Sequence, residues 1–215
     1  MAQLFGNDFG FYFRLGLIAA IAVIVIAVLL WRAGMAYPAA INAAIEQPVP
    51  FSHKHHVGDE GIDCRYCHAS VEQSAYAGMP ALSTCMTCHS QLFTDQPALA
   101  PLVAAFQSGR ALHWLRINQL PDFVYFDHSI HLAKGVGCAS CHGVVDQMPL
   151  TWRVAPLTMQ WCLECHRNPE RYLRPRDQIV NLHWKAPNQQ ALGERLLREY
   201  HIDKRRLTDC SVCHR

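Results

Sequence analysis

All ten cysteines of this 215-residue chain lie in five copies of one pattern, Cys-x-x-Cys-His. The copies, which we call motifs 1 to 5, occupy residues 64–68, 85–89, 138–142, 162–166 and 210–214. Histidine makes up 13 of the 215 residues, so a histidine after every cysteine pair would arise by chance with a probability on the order of one in a million. The motifs therefore share one chemistry, and that chemistry constrains the fold.

This pattern is the attachment signature of c-type haem. Its two thiols form thioether bonds with the haem vinyl groups, and the adjacent imidazole binds the iron as one axial ligand. The predicted attachment residues are Cys64, Cys67, Cys85, Cys88, Cys138, Cys141, Cys162, Cys165, Cys210 and Cys213. The predicted proximal ligands are His68, His89, His142, His166 and His214. We therefore expect five covalently attached haem c groups and a function in electron transfer.

Zinc and disulfide bonds are the alternatives for cysteines at this spacing. Paired Cys-x-x-Cys units build zinc sites with four cysteine ligands, which do not need a histidine at the next position. A disulfide framework has no use for the histidines either. The small net charge of +2 argues against a nucleic-acid partner.

An apolar segment near the N-terminus is typical of a membrane anchor. Residues 15–31 contain no charged side chain, and the sequence Phe-Tyr-Phe at residues 11–13 extends the apolar stretch beyond Arg14. A bilayer core needs about 20 mostly apolar residues, so we predict a transmembrane helix over residues 15–32. A cleaved secretory signal and a buried core helix are the alternatives. A secretory signal usually begins with a basic region, which is missing before this segment.

The chemistry of haem attachment sets the expected topology. Arg14 and Arg32 flank the segment evenly, so the distribution of basic residues does not decide its orientation. Covalent haem attachment takes place outside the bacterial cytoplasm. We therefore expect a single-pass protein of the bacterial inner membrane with a cytoplasmic N-terminus and a periplasmic haem domain. We also expect the helix to continue from Ala33 until Pro48 and Pro50 stop it.

The chain contains one two-haem unit twice. Residues 51–56 and 126–131 both read Phe-x-His-x-x-His, and each is followed by Gly-[Ile/Val]-x and a haem motif. The match continues beyond that motif, where residues 71–73 align with residues 145–147. We call these units copy 1 and copy 2. Motif 5 lies outside both copies.

Each copy carries two histidines three positions apart, which can lie on one face of a helical turn. One iron cannot bind both in addition to its proximal histidine, so each turn must serve two haems. The predicted distal ligands are His53, His56, His128 and His131. His55 breaks the spacing and is expected to face solvent. The alternative interpretation is that these are ordinary surface histidines.

The distal ligand of the fifth haem is not set by the spacing. Met148 and Met159 are thioether candidates, and a thioether ligand would raise the potential of a haem above that of its bis-histidine neighbours. The imidazole candidates are His183, His113 and His201.

We predict a mainly α fold with extensive coil and little sheet, in which one transmembrane helix precedes a domain of short helices and loops packed around haem. The predicted segments are a cytoplasmic N-terminus (1–14), a transmembrane helix (15–32), a linker (33–50), the first dihaem repeat with its linker (51–125), the second dihaem repeat (126–170) and a C-terminal segment with the fifth haem (171–215). Further short helices are expected over residues 97–107 and, with an amphipathic pattern, over residues 189–201.

The Phe-x-His-x-x-His unit with its haem motif resembles the small multihaem cytochromes of the c3 and c7 type. The resemblance implies that His53 binds the haem of motif 1 and that His128 binds the haem of motif 3. It also implies that His56 and His131 bind other haems.

The order of anchor, motifs and connecting segments is similar to that of the pentahaem cytochrome c subunit of bacterial alternative complex III. The connecting segments that carry this resemblance include residues 120–126 and 159–169. One position departs from the family pattern. This chain has Asn118 where that family often has a histidine shortly before the Leu-Pro-Asp sequence, which argues against a ligand there.

The resemblance implies an electron-transfer subunit of a membrane complex that oxidises quinol and passes electrons to a periplasmic acceptor. It also implies an iron–sulfur subunit and a monohaem cytochrome c as partners. No side-chain constellation resembles a general base or an activated nucleophile, so we do not expect the chain to be an enzyme by itself. The alternatives are a stand-alone anchored quinol dehydrogenase and a multihaem oxyanion reductase, which would need an iron with an open position.

Overall fold

The structure, a computed structural model, describes residues 8–35 and 41–214. The chain divides into two compact units, Met1–Ala40 and Ile41–Arg215. Within the described ranges the regular structure is helical, and extended segments pair only through isolated bridges. The predicted mainly α fold with little sheet is therefore confirmed.

Helix α1 spans Phe9–Met35 and contains the apolar segment. Its part Phe9–Arg32 contains an 18-residue window that has a mean hydropathy of 2.8 and is exposed. At about 1.5 Å per residue a helix of this length can cross a bilayer core. The same length and composition also occur in signal sequences. The helix begins before the predicted position 15 and includes Arg14.

The expected continuation of this helix towards Pro48 is wrong for residues 41–47. Ile41 and Ala44 instead form isolated bridges with Arg153 and Trp152, so this part of the linker pairs with the chain beyond motif 3. Residues 36–40 of the linker and residues 1–7 of the predicted cytoplasmic segment lie outside the described residues.

Helices in the second unit are short, and most of them carry a haem motif. They are α2 (Cys64–Cys67), α3 (Leu82–His89), α4 (Ala100–Ser108), α5 (His128–Ala133), α6 (Ala139–His142), α7 (Met159–Arg167), α8 (Gln189–Glu199) and α9 (Cys210–Cys213). The connecting turns are a π turn at Lys54–Asp59 and 3₁₀ turns at Pro97–Leu99, Val145–Gln147, Pro169–Arg171 and Arg176–Gln178. The helices predicted over residues 97–107 and 189–201 are thus confirmed.

Polar side chains fix the starts of several of these helices. Each accepts a hydrogen bond from a backbone N–H in the first turn, which would otherwise lack a partner. The capping residues are Asp63 of α2, Asp127 of α5, Thr158 of α7 and Asn188 of α8. A glycine ends α4. Gly109, which follows that helix, has φ 64°, the left-handed conformation that favours glycine after a helix.

The two copies of the repeat hold each other's histidine turn. The amide of Lys54, in the π turn of copy 1, donates to the carbonyl of Met148, which follows motif 3, at 3.0 Å. Reciprocally, the amide of His128, at the start of α5 in copy 2, donates to the carbonyl of Ala75, which follows motif 1, at 3.3 Å. Each histidine turn therefore packs on the segment that follows the first motif of the other copy.

A small apolar core lies between α8 and the 3₁₀ turn Pro169–Arg171. It is formed by Leu173, Leu196 and Tyr200, which are 5% exposed or less. Gly193 permits the close approach, because a Cβ there would overlap the carbonyl of Glu170. This core fixes the segment that leads from motif 4 to motif 5.

Candidate haem sites

Each motif places its two cysteines on one helical turn with the histidine directly after them. The C-cap of α2 is His68, and α3 and α6 end with the histidines of motifs 2 and 3. In α7 the histidine of motif 4 is the penultimate residue, and the histidine of motif 5 caps α9. The local fold therefore presents two thiols and one imidazole on the same side of a short helix, as attachment of haem requires.

The proximal histidines all use Nδ1 in a hydrogen bond. His68 bonds the carbonyl of Gly78 at 2.8 Å, and His166 bonds the carbonyl of Leu207 at 2.7 Å. His89 bonds the Leu92 carbonyl at 3.2 Å, and His214 bonds the Phe123 carbonyl, also at 3.2 Å. In motif 3 the partner is a side chain instead, since His142 Nδ1 lies 3.1 Å from the Asn118 amide.

The predicted distal histidines do the same. His53 Nδ1 lies 2.8 Å from the Thr151 hydroxyl. The Nδ1 atoms of His56 and His131 bond the carbonyls of residues 52 and 127, four positions earlier, at 2.9 and 2.6 Å. His128 Nδ1 bonds the Ala75 carbonyl of the other copy at 2.9 Å.

This shared pattern selects one nitrogen of each ring. A backbone carbonyl accepts only from a protonated Nδ1, so the rings that it holds have Nε2 as the unprotonated atom. A histidine that binds a metal through Nε2 typically donates its other N–H to an oxygen, which fixes both tautomer and ring orientation. The donor set of these histidines therefore fits haem iron.

Three pairs of histidine rings face each other at a separation suited to one metal. In each pair one ring belongs to a predicted distal ligand and the other to a motif histidine. The ring centres are 6.1 Å apart for His56 and His89, 6.4 Å for His128 and His142, and 6.1 Å for His131 and His166. Two imidazoles that bind one metal from opposite sides at about 2 Å place their ring centres roughly 6 Å apart. The two histidines of α5 therefore lie near the histidines of two different motifs.

A phenylalanine orients both histidines of each turn. The ring of Phe51 lies edge-on to His53 at 4.9 Å and stacks on His56 at 4.5 Å. Phe126 repeats this arrangement in copy 2, at 4.7 and 4.5 Å from its two histidines. The sequence contains this signal, a phenylalanine two positions before the first histidine in both copies, but the pattern alone does not show which rings the phenylalanine contacts.

His53 and His142 lie in the half-buried region where the two copies meet. Burial lowers the pKa of His53 to about 4, and the nearby ring of His68 adds to this. Burial also lowers the pKa of His142 to about 4, with His128 and then His68 as further causes. Low pKa values keep both rings neutral, which is the form that can bind a metal.

The candidates for the fifth distal ligand lie in different surroundings. His183 uses Nε2, the atom that iron would need, to bond Asp146 Oδ2 at 2.5 Å. Met148 is 1% exposed and enclosed by the chain itself, whereas Met159, the first residue of α7, is 62% exposed. His113 lies beside α4, and His201 follows α8 with φ 51°.

The motifs are neighbours in space in an order that differs from their order in the chain. Burial raises the pKa of each of the thiols Cys67, Cys138, Cys141 and Cys162, and in each case a cysteine of another motif adds to the rise. These neighbouring cysteines belong to motif 2 for Cys67, motif 1 for Cys138, motif 4 for Cys141 and motif 5 for Cys162. The spatial order is therefore 2–1–3–4–5.

Apolar side chains surround the motifs without being covered by the chain. Exposed large side chains near the motifs include Tyr66, Met79, Phe93, Phe123, Ile130, Val144 and Met159. A haem macrocycle is a large apolar body that would cover such surface. When bound, haem c supplies a one-electron couple at each iron, and the residues above hold and orient it.

Comparison with known proteins agrees with these sites. The family described as "Cytochrome c7 and related cytochrome c" matches residues 49–102 and 124–215. The chain belongs to this family of multihaem c-type cytochromes. It acts in electron transfer, and its haem motifs are those of covalently bound haem c.

A curated relative of this cytochrome is named "Menaquinone reductase, multiheme cytochrome c subunit" and comes from Nitratidesulfovibrio vulgaris. The two proteins are 39% identical over 108 residues. The aligned part covers 50% of this chain and 50% of the relative, so the chain spans about half the length of the relative that it matches.

Two residues that contact the site, Asn118 and Thr151, were not assigned a role from the sequence. Asn118 bonds the proximal ring of motif 3, and Thr151 bonds His53 from the other copy. Neither residue lies in a motif or in the matched part of the repeat. Only the folding of distant segments onto the motifs brings them to these rings.

Proposed function

We propose that this cytochrome carries five haems in a row and acts as the electron wire of a membrane quinol:acceptor oxidoreductase. The spatial order of the motifs, 2–1–3–4–5, supports this function, because every motif has a neighbour and none is isolated. Motifs 2 and 5 are then the two ends of the wire. Electrons enter or leave at these ends and pass through motif 3 at the centre.

We propose that nine histidines bind the irons of this wire. The proximal ligands are the histidines of the five motifs. The distal ligands are His53 for motif 1, His56 for motif 2, His128 for motif 3 and His131 for motif 4. The ring separations near 6 Å support the last three assignments, and the nearness of His53 to His68 supports the first.

For the fifth haem we propose Met159 as the distal ligand. Met159 is the first residue of α7 and lies three positions before Cys162, so both lie on one face of the helix. Cys162 is a neighbour of Cys213, and His166 bonds Leu207, three residues before motif 5. The first residue of α3 in copy 1 is Leu82, which cannot bind iron. Thus the thioether occurs at this position only in copy 2, whose helix α7 lies next to motif 5.

The substitution Met159→Leu tests this ligand, with Met79→Leu as a control at a similarly exposed methionine (58%). Met159→Leu is expected to remove the red-region absorption band of methionine-bound ferric haem and to produce one high-spin signal in electron paramagnetic resonance (EPR). The midpoint potential of one haem should also fall, since a thioether raises it. Unchanged spectra in a protein that retains its haems would contradict the assignment.

We further propose that the complex is of the alternative complex III type. In this proposal α1 is a single-pass anchor in the bacterial inner membrane, with the N-terminus in the cytoplasm and the haems in the periplasm. The partners are an iron–sulfur subunit and a monohaem cytochrome c that receives the electrons. The apolar length of α1 supports the anchor, and the order of the segments along the chain supports the complex.

A second candidate function reverses the direction of electron flow. The relative is named as a subunit of a menaquinone reductase, and this name favours delivery of electrons from a periplasmic donor to quinone. The wire and its ligands are the same in both candidates. Only the potentials and the partners at the two ends differ.

The test uses the protein in its native membrane complex, with haem quantified and reduction followed by absorption. Quinol oxidation predicts five haems per chain and rapid haem reduction by a menaquinol analogue. Quinone reduction predicts instead that pre-reduced haems are rapidly oxidised by the quinone. Failure of both reactions in a fully loaded complex, or turnover of an oxyanion at a high-spin haem, would overturn the proposal.

A further inference from the structure

Arg174 is a buried cation next to the first cysteine of motif 3. Arg174 is only 8% exposed. The guanidinium lies against the backbone of Gly137, because a Cβ on Gly137 would collide with it. Gly137 directly precedes Cys138, the first attachment residue of motif 3.

Pairing between two backbone segments holds Arg174 in this place. The amide of Arg174 donates to the carbonyl of Gly135 at 2.9 Å, and the amide of Cys138 donates to the carbonyl of Ile179 at 3.1 Å. The guanidinium Nη1 donates to the Asn181 carbonyl at 2.9 Å, and Cζ lies 5.4 Å from the centre of the Trp184 ring. The chain that follows motif 4 thus returns to cover the start of motif 3.

Arg174 has no carboxylate partner within ion-pair distance among the described residues. Its Nε is buried and has no hydrogen-bond partner among the residues that the structure describes. The buried carboxylate of Asp146 is bound by His183, which precedes Trp184. A buried charge without a counter-charge acts over a longer range than a screened surface charge.

The corresponding place in copy 1 has the opposite character. Asp63 precedes Cys64 as Gly137 precedes Cys138, and its carboxylate pairs with Arg65 at 2.8 Å. Both partners of that pair are nearly half exposed. Asp63 also lies near Cys138, but its charge is balanced by Arg65, whereas Arg174 has no carboxylate within ion-pair distance among the described residues. The first motifs of the two copies thus share a repeat sequence but differ in the charge beside the first cysteine, which is a neutral pair in motif 1 and an unpaired cation in motif 3.

We propose that Arg174 sets the potential of the third haem, raising it above that of the first. The inference rests on the proposed haem wire. Reduction adds one electron to the haem, and a nearby fixed positive charge stabilises the reduced form. A unit charge about 10 Å away, at an effective dielectric constant of about 20, shifts such an equilibrium roughly tenfold. For a one-electron couple a tenfold shift corresponds to about 59 mV.

The raised potential has a consequence for the wire. Motif 3 is its centre and is the place where the two copies join. A higher potential there holds an electron at the junction between the halves. Arg174 therefore acts on the third haem through its charge and does not bind the iron.

The first test is Arg174→Met in the full-length protein, with the midpoint potentials measured by redox titration followed by absorption and EPR. One of the five one-electron components should shift down by about 59 mV, a tenfold change. Arg174→Lys keeps the charge and should retain the higher potential, which a purely structural role would not predict. Arg176→Met is the matched control, because Arg176 is exposed and stacks on Tyr200.

A second variant keeps Arg174 in place. Ser140 and Arg174 line the same cavity of about 230 Å³, so Ser140→Asp brings a carboxylate towards the guanidinium and should also lower that potential. If Arg174→Met does not load haem, Arg174→Gln, which keeps a hydrogen-bond donor and removes the charge, decides the question. Five haems with no shifted component in these variants would overturn this inference alone, whereas an unaltered protein with fewer than five haems would overturn the wire itself.

Discussion

The ring nitrogens of histidine show how single residues prepare this chain for haem. Each histidine of the five motifs, and each of the four proposed distal ligands, has Nδ1 in a hydrogen bond. Most of the partners are backbone carbonyls, and a substitution at the partner residue does not remove its carbonyl. The ring of motif 3 is different, because its partner is the side chain of Asn118.

The orientation of the Asn118 amide follows from the chemistry of His142. An iron-bound imidazole keeps its proton on Nδ1, which needs an acceptor, so the amide oxygen of Asn118 must face the ring. As placed, Nδ2 faces the ring and Oδ1 is buried without a partner. Rotation of the amide leaves one buried amide atom unpaired in either case, so the proton on the ring decides the orientation.

Asn118 variants are expected to change the third haem specifically. Asn118→Leu leaves the Nδ1–H of His142 without an acceptor, which costs about 1–3 kcal/mol, and makes the imidazole a weaker donor to iron. Asn118→Asp should have the opposite effect on the ring and lower the potential of one haem. EPR spectra and a redox titration measure both effects. Gln119→Leu, at the exposed neighbouring position, is the control and should leave all five haems unchanged.

At the scale of secondary-structure elements, α8 and the turn Pro169–Arg171 carry the segment between motifs 4 and 5. Glu170, in that turn, has a side chain only 10% exposed and pairs with Lys204 at 2.9 Å. Burial alone would raise the pKa of Glu170, but the hydrogen bond from Lys204, a backbone hydrogen bond and the charges of Lys204 and Arg171 together outweigh it, and the pKa is lowered. The pair therefore ties the core to the chain that precedes motif 5.

The stability of this element should depend on pH in one direction. Because the pKa of Glu170 is lower in the folded than in the unfolded chain, its contribution is complete above the ordinary glutamate pKa and is lost as the pH falls through the folded value. Lys204→Met should lower the melting temperature at neutral pH and reduce its fall in acid. Thermal unfolding followed by absorption at several pH values measures this. Lys185→Met, an exposed lysine outside this pair, should behave like the unaltered protein, and an equal effect there would contradict the role of the pair.

At the scale of the whole molecule, the chain consists of an apolar helix and a haem-binding unit. The two are separate compact units, Met1–Ala40 and Ile41–Arg215. Within the second unit the two copies exchange histidine contacts, with His53 held by copy 2 and His128 held by copy 1. This exchange joins the two copies into one compact unit.

Separating the two units should separate membrane attachment from haem binding. Residues 41–215, exported behind a cleavable signal sequence, are expected to carry five haems and to be recovered without detergent. The full chain should be released from membranes only by detergent, because α1 is long and apolar enough to cross a bilayer. Haem quantification and membrane fractionation measure both properties. Release of the full chain by salt or high pH would show that α1 is not an anchor.

The chemistry of this protein and much of its local structure can be predicted from short stretches of its sequence. The spacing Cys-x-x-Cys-His specifies haem attachment because both thiols and the imidazole come from one helical turn, and the polar caps and glycines likewise act within a few residues. The repeat also places two histidines on one turn, which predicts that each turn serves two motifs.

Which motif each histidine faces, and how the motifs are ordered in space, depend on long-range packing. His56 faces motif 2 and His131 faces motif 4, and the order 2–1–3–4–5 arises where the copies exchange their turns. Asn118, Thr151 and Arg174 reach their motifs only through folding. Such contacts join segments far apart in the chain, and no local spacing encodes them, because their geometry depends on how the two copies and the C-terminal segment pack together.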